Sequence, residues 1–290
     1  MTVQTNPQET QNLRLASRQG LLPAKGSGWL AGFGNMFGKE LGEWFCTRRW
    51  LWQLLIWLIL INGFLAIILF VLPALESIVP GVNASMEKNY EGLPAGAMAL
   101  TQYFSIAMLA GTIGVIILAQ DEVIQEKQSG TAAWILSKPV ARPAFILTKL
   151  LSNTIGALVF IVALPALVTL GEIYLDVHQV VPLVPFLAGT GVFMLGLLFY
   201  LSLVILLGVL FESRGPVMGI SFGVMLGGML ISNFIPQITY VLPVTMDKVA
   251  MVLVLGIPLP AMFVSQVISA AVLSIVFILI ALWRFQQNEF

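Results

Sequence analysis

The run Leu51-Trp-Gln-Leu-Leu-Ile-Trp-Leu-Ile-Leu-Ile-Asn-Gly-Phe-Leu-Ala-Ile-Ile-Leu-Phe-Val-Leu72 contains no charged residue. A helix needs about 20 apolar residues to cross a hydrocarbon core about 30 Å thick, and this stretch has that length. Five more stretches repeat the pattern, at roughly Gly96–Ala119, Leu150–Leu170, Val184–Phe211, Pro216–Ile235 and Ala261–Trp283. The predicted fold is all-α, a polytopic membrane protein with six transmembrane helices. Residues 236–260 are also fairly apolar, but Pro243, Asp247, Lys248, Pro258 and Pro260 interrupt them. They read as an external re-entrant or surface-lying segment rather than a seventh crossing.

Whole-chain composition points the same way. Of 290 residues, 58% are hydrophobic and 10% charged, and the mean hydropathy is +0.95. Soluble domains carry about 25% charged residues. Fourteen basic residues balance fourteen acidic ones, so no bulk attraction for nucleic acid is expected. A single cysteine, Cys46, excludes an intramolecular disulfide and a thiolate metal cluster. It reads as an apolar filler near the interface. A single histidine, His178, excludes two-histidine metal sites and makes a serine–histidine enzyme hard to assemble. With Glu172 and Asp176 it is expected in an external loop between the third and fourth spans. Neither an enzyme nor a bound metal or cofactor is expected of this chain.

Basic residues set the orientation. With the N-terminus inside, only Lys88 and Lys248 of the 14 Lys and Arg residues fall outside. Both termini are therefore expected in the cytoplasm, with the bundle in the cytoplasmic (inner) cell membrane. Residues 1–35 read as a flexible cytoplasmic tail and residues 36–290 as the membrane domain. No Asp, Glu, Lys, Arg or His lies within the six spans as drawn, whereas ion-coupled carriers usually keep one at membrane depth. Energy for any work on a substrate is expected to enter from outside the membrane.

Ahead of the first span, residues 36–50 form an amphipathic pattern. Phe37, Leu41, Trp44 and Phe45 share one helical face, while Lys39, Glu40, Glu43 and Thr47 occupy the other. Such a helix should lie in the headgroup plane, with Arg48 and Arg49 at the phosphates. It is either a simple anchor or a lever onto the first span. Residues 120–149 form a long cytoplasmic loop, acidic at Asp121, Glu122 and Glu126 and basic at Lys138, Arg142 and Lys149. Its middle, Thr131–Ser137, is a short helix-like run preceded by Gly130 and stopped by Pro139. Taken alone, that loop is either a topological connector or a surface built to receive a push.

The ordered set Glu126-Lys127-x-x-Gly130-Thr131, Leu136-Ser137-x-Pro139-Val140-x-Arg142 and then Lys149 resembles the loop between the second and third spans of ABC transporter permeases of the type 2 exporter family. Lys39-Glu40, with Arg48-Arg49 before the first span, looks like that family's connector helix. The resemblance covers roughly residues 36–285. It implies a membrane-spanning permease subunit that pairs with a second permease copy, or a homologous one, and is driven by a separate cytoplasmic ABC ATPase. The coupling residues would be Glu126, Gly130, Thr131, Trp134, Pro139 and Arg142, with Lys39, Glu40, Arg48 and Arg49 on the connector helix. No Gly-x-x-x-x-Gly-Lys-Ser/Thr occurs in the chain, so ATP and Mg would be held by the partner ATPase.

Gly219, Gly223 and Gly227 recur four apart in the fifth span, a spacing that lets another helix approach closely. They mark either packing within the chain or the seam of a dimer. Thr112 and Ser221 lie on the spans that the resemblance assigns to the pathway and are candidate lining residues. Two other functions stay open on these residues. One is a mechanotransmission or scaffold subunit, driven by an ATPase without passing a substrate; the other is an ATP-independent secondary carrier or channel.

Overall fold

The computed structural model describes residues 28–76, 78–81, 96–130 and 140–287. In chain order it contains α1 (Phe33–Phe45), α2 (Arg49–Glu76), α3 (Ala97–Ala119), α4 (Ile124–Gln128), α5 (Arg142–Val177), α6 (Leu183–Leu210), α7 (Arg214–Phe234), α8 (Met246–Val254) and α9 (Ala261–Gln287). The described residues form helices and their connections, with no strand. Six helical runs are long and apolar enough to cross a membrane: α2, α3 continuing through α4, α5, α6, α7 and α9. The chain is an all-helical, multi-pass membrane protein. Of the expected tail, 1–35, residues 1–27 lie outside the described residues, as do 131–139 of the central loop, while its last three residues, 33–35, already belong to α1, so the connector helix begins earlier than residue 36.

α6 forms the centre of the bundle. It is apolar all round, which suits a helix enclosed by others, and most of its length is buried. α3, α8 and α9 pack along it. Tyr103 and Phe104 of α3 meet Phe186 of α6, and Phe199 of α6 meets Phe277 of α9 at 5.6 Å between ring centres. Where lipid surrounds the bundle, burying apolar surface gives little net gain. Close van der Waals fit and buried hydrogen bonds hold the helices together instead. Two glycines act as sockets in this way. The Trp57 indole fills the space that a side chain at Gly114 would need, and Trp44 does the same at Gly156.

Local π turns shape the first and third spans. They cover Leu58–Gly63 and Ile67–Val71 in α2 and Leu158–Ala163 in α5. Pro73 and Pro165 follow two of them. A proline lacks the N–H for the preceding turn and crowds its carbonyl, and widening that turn relieves the conflict. The other π turn carries Asn62, whose side-chain amide donates to the Pro165 carbonyl, Thr169 and Glu172, all on α5.

Several boundaries differ from the sequence expectation. The connector helix ends at Phe45, and Arg48 and Arg49 open α2 instead of closing that helix. Glu172 and Asp176, expected in an external loop, lie inside α5. Helices run past the apolar core because their hydrogen bonds do not depend on side-chain polarity. α5 ends only where His178 takes a left-handed conformation, φ 54°. Lys149 and Glu126 likewise fall within long helical runs rather than in an extended loop. Residues 236–260 make no seventh crossing. A short 3-10 turn, Pro236–Tyr240, leads into α8, whose Met246, Val249 and Ala250 are fully buried.

Candidate functional site

Four separate stretches of chain bring charges together at one end of the bundle. α1 supplies Lys39, Glu40 and Glu43, and the start of α2 supplies Arg49. The turn before α4 and α4 itself supply Glu122 and Glu126, and α5 supplies Lys149. The Lys149 ammonium lies 3.2 Å from Glu126 Oε1, 3.3 Å from Glu40 Oε1 and 3.6 Å from Glu122 Oε2. Lys39 Nζ lies 3.5 Å from the same Glu126 oxygen and 3.7 Å from Glu43. Arg49 reaches Glu122 at 3.8 Å. Lys149 is 2% exposed and Glu40 4%. Beside the cluster is a polar cleft of about 460 Å³.

Burying ions costs several kcal/mol per group, and the attraction offsets this only when each charge finds partners. One lysine shared by three carboxylates therefore does more to fix the relative positions of three helices than to add net stability. The face that α1 turns inward is Met36, Glu40 and Trp44, one residue per turn. Glu40 thus belongs to the buried face and not to the solvent face predicted from amphipathicity. Trp44 locks the docking: its ring stacks on Phe160 at 6.0 Å, rests on Gly156, and carries the Arg49 guanidinium 4.2 Å above it.

On its other side α4 is fastened to α6. Lys127 Nζ donates to the carbonyls of Gly208, Val209 and Phe211 at 3.4, 3.1 and 3.1 Å. These are carbonyls of the last turn of α6, which have no partner within the helix, and a cation there also suits the helix dipole. Gln128 Nε2 donates to the Glu212 carbonyl at 2.7 Å, and Arg214 pairs with Asp121 at 2.6 Å. Gly130 ends this segment at φ 70°, a left-handed geometry that glycine adopts freely. The segment carrying Glu126 is thus joined to α1 and α5 through one side chain and to α6 through the next.

The structure brings Lys39, Glu40, Arg49 and Glu126 into this cluster, and Gly130 sits at its edge. Arg48 is exposed before α2. Arg142 opens α5, and its guanidinium donates to the Gln286 carbonyl at the end of α9. Thr131, Trp134 and Pro139 lie outside the described residues. Among the described residues, nothing beyond the backbone of α7 itself lies within 4 Å of where a Cβ would stand at Gly219, Gly223 or Gly227, so none of the described helices packs closely on these three glycines. Gly228 packs against Val244 and Leu242. The Thr112 and Ser221 hydroxyls are buried without a hydrogen-bond partner.

Sequence reasoning missed the burial of Lys149, the Lys127 cap and a second polar locus. In that locus Asp247, near the start of α8, accepts a hydrogen bond from Ser105 Oγ at 3.2 Å. It borders a cavity of about 60 Å³ between α3, α6, α7 and the segment before α8. Burial pushes the Asp247 carboxyl above its ordinary range, against the pull of the Lys248 amide and charge and the Ser105 hydroxyl. The four-residue interval from Glu122 to Glu126 was a readable signal for the first locus. Nothing in the sequence marked the depth of Asp247.

Residues 64–290 match the profile of a family described as a protein of unknown function, DUF2705, and the chain belongs to that family. The matched region includes Glu122, Glu126, Lys149 and Asp247, while α1 precedes it. Comparison with curated proteins gives no match.

Proposed function

We propose that this DUF2705 family member is the membrane-spanning permease subunit of an ATP-driven ABC transporter. In this reading it exports its cargo and is coupled to a separate cytoplasmic ATPase through the segment between α4 and α5. The supporting observation is the sharing of Lys149 among Glu40, Glu122 and Glu126. α4, which carries Glu126, comes just before the coupling segment in the chain, and α5, which carries Lys149, comes just after it. A push delivered through α4 acts on a base already tied to α1, α5 and, through Lys127, α6. Force is then carried by rigid helices rather than lost in a loose loop.

The rest of the reading follows from this. α1 lies along the cytoplasmic face of the cell membrane as the connector helix, and both termini are cytoplasmic. ATP and Mg are held by the partner, since this chain has no phosphate-binding loop. The open Gly219–Gly223–Gly227 ridge takes a second permease copy. Export is the direction suggested by the resemblance of residues 126–149 to type 2 exporter permeases.

The test is purification of the tagged chain in mild detergent from cells expressing its neighbouring genes, with identification of stoichiometric partners. The expected result is an ATPase at one copy per permease. In vesicles, Glu126→Ala or Gly130→Pro should leave insertion intact but uncouple ATP hydrolysis from transport. Native activity of the chain alone, without nucleotide, would sink the proposal.

A further inference from the structure

Two clefts of this molecule run into each other. A groove of about 500 Å³ lies between α2 and α3, lined from Gln53 to Phe64 on one helix and from Ile106 to Leu118 on the other. The Trp57 ring, seated on Gly114, forms part of its floor. Gln53 Oε1 accepts the Trp57 indole N–H at 2.7 Å, and the rest of the wall is apolar. The polar cleft of the charged cluster is lined by Arg49 of α2 and by Leu118 and Asp121 on the α3 side. Leu118 therefore borders both spaces. On α2 the change from apolar to charged lining takes one turn, Gln53 to Arg49, or about 6 Å.

The groove has the length of one leaflet. Eleven residues separate Gln53 from Phe64, about 17 Å along a helix, close to the ~15 Å that one leaflet adds to a hydrocarbon core about 30 Å thick. Ile56, Leu60 and Phe64 on its α2 rim are exposed, so it opens sideways toward lipid. Its volume falls in the range of ligand pockets, about 300–1,000 Å³. A membrane-crossing helix of a second copy is a poorer occupant. It would need a groove through both leaflets, whereas this lining stops at Phe64 while α2 continues to Glu76.

Arg49 stands where the two spaces meet. Its side chain is 26% exposed and approaches Glu122 at 3.8 Å, and it lies over the Trp44 ring. Neither contact is a hydrogen bond, and among the described residues its guanidinium makes none. The neighbouring acids have nearer cations: Glu122 and Glu126 face Lys149, and Asp121 faces Arg214. A planar fork of N–H donors held at the mouth of an apolar groove suits a phosphate, which it can grip through two parallel bonds.

We infer that groove and cleft form one site for a single phospholipid, with one acyl chain between α2 and α3 and the phosphate at Arg49. The other chain stays in the bilayer. A lipid seated there ties the membrane to the base of α2, beside the cluster that holds α1, α4 and α5. Binding needs no ATPase, so this site and the permease reading stand or fall separately.

The experiment is native mass spectrometry of the full chain, delipidated in mild detergent and then offered dioleoylphosphatidylethanolamine. One lipid per chain should survive activation that strips the rest. Dioleoylglycerol has the chains without the phosphate, and glycerophosphoethanolamine has the phosphate without the chains. Each should bind roughly tenfold more weakly or worse, because each loses one half of the site. Arg49→Gln should lower retention about tenfold, and Arg49→Lys should restore only part of it, since an ammonium cannot form the fork. Ala110→Phe fills the groove and leaves Arg49 in place, so it should abolish retention. Circular dichroism and size exclusion check folding, and the two variants lie on different helices, so one decides the matter if the other misfolds. Unchanged retention in a folded Arg49→Gln or Ala110→Phe overturns the inference. So does dioleoylglycerol bound as tightly as the phospholipid, or a shell of lipids lost together with no one-to-one species. Intermolecular disulfide formation by Leu60→Cys in a Cys46→Ser background also overturns it, because a second copy would then occupy the groove.

Discussion

Glu126 Oε1 lies 3.2 Å from the Lys149 ammonium and 3.5 Å from that of Lys39, so one carboxylate oxygen is shared by two helices. Its other oxygen is buried without a hydrogen-bond partner. The pairing is therefore one-sided: Glu126 is held through Oε1 while Oε2 remains unsatisfied, at a cost of about 1–3 kcal/mol for a buried acceptor. A group held this way keeps α1, α4 and α5 in register and would respond sharply to displacement of any of them.

Lys149→Met should lower stability by about 3–5 kcal/mol, because it leaves Glu40, Glu122 and Glu126 without their common cation. Adding Glu40→Gln to that variant should recover part of the loss, since one of the stranded charges is removed. Thermal unfolding in detergent measures both. Additive losses in the double variant would show that Glu40 and Lys149 do not act on each other.

Gly156→Ala should undock α1. A methyl group there meets the Trp44 ring, and overpacking of this kind costs about 1–3 kcal/mol. In a Trp44→Ala background the same change should cost much less, because the ring it collides with is gone. A double-mutant cycle on melting temperature checks the coupling.

How far the sequence speaks depends on which physical constraint is at work. Six spans were legible because hydrocarbon thickness fixes the length of an apolar run, and residues 51–72 satisfy it without help from tertiary structure. The burial of Lys149 was not legible. It stands immediately before an apolar run, where hydropathy places a charge at the surface, and only three carboxylates from distant segments keep it inside. Glu40 was assigned to the wrong face for a related reason. An amphipathic pattern separates polar from apolar but cannot tell a polar residue facing water from one facing a buried cation. Asp247 was read as a charge that breaks up a hairpin, since nothing local to residues 236–260 tells how deep that hairpin sits.

Lys127→Met should free the α6–α7 turn. Three carbonyls lose their donor, and each net hydrogen bond to a charged group contributes about 1.5–3 kcal/mol where it is well formed. At 3.1–3.4 Å these contacts fall at the weak end, so a loss of about 1–2 kcal/mol in total is expected. Hydrogen exchange should quicken in the amides of residues 208–214, while Lys127→Arg should preserve much of the protection. Unchanged exchange in Lys127→Met would mean that the turn is held without Lys127, by the Asp121–Arg214 pair and the Gln128–Glu212 hydrogen bond.

Gly223→Leu separates the two readings of the glycine ridge. Among the described residues, nothing beyond the backbone of α7 itself lies within 4 Å of the position that a Cβ would take at Gly219, Gly223 or Gly227, so a larger side chain starts out into open space in the monomer. The melting temperature of the dispersed monomer should therefore change little, and replacing a helical glycine adds a small gain in helix propensity, about 1 kcal/mol or less. A second helix packed on this ridge would instead be forced away by the isobutyl group, because backbones approach closely only across small residues. Mass photometry in detergent or nanodiscs should show dimers of the unaltered chain and a shift toward monomer in Gly223→Leu. Gly228→Leu is the contrasting case: that glycine already packs against Val244, so its replacement should destabilise the monomer itself. Dimers that survive Gly223→Leu with undiminished strength would place the seam on another face of the bundle.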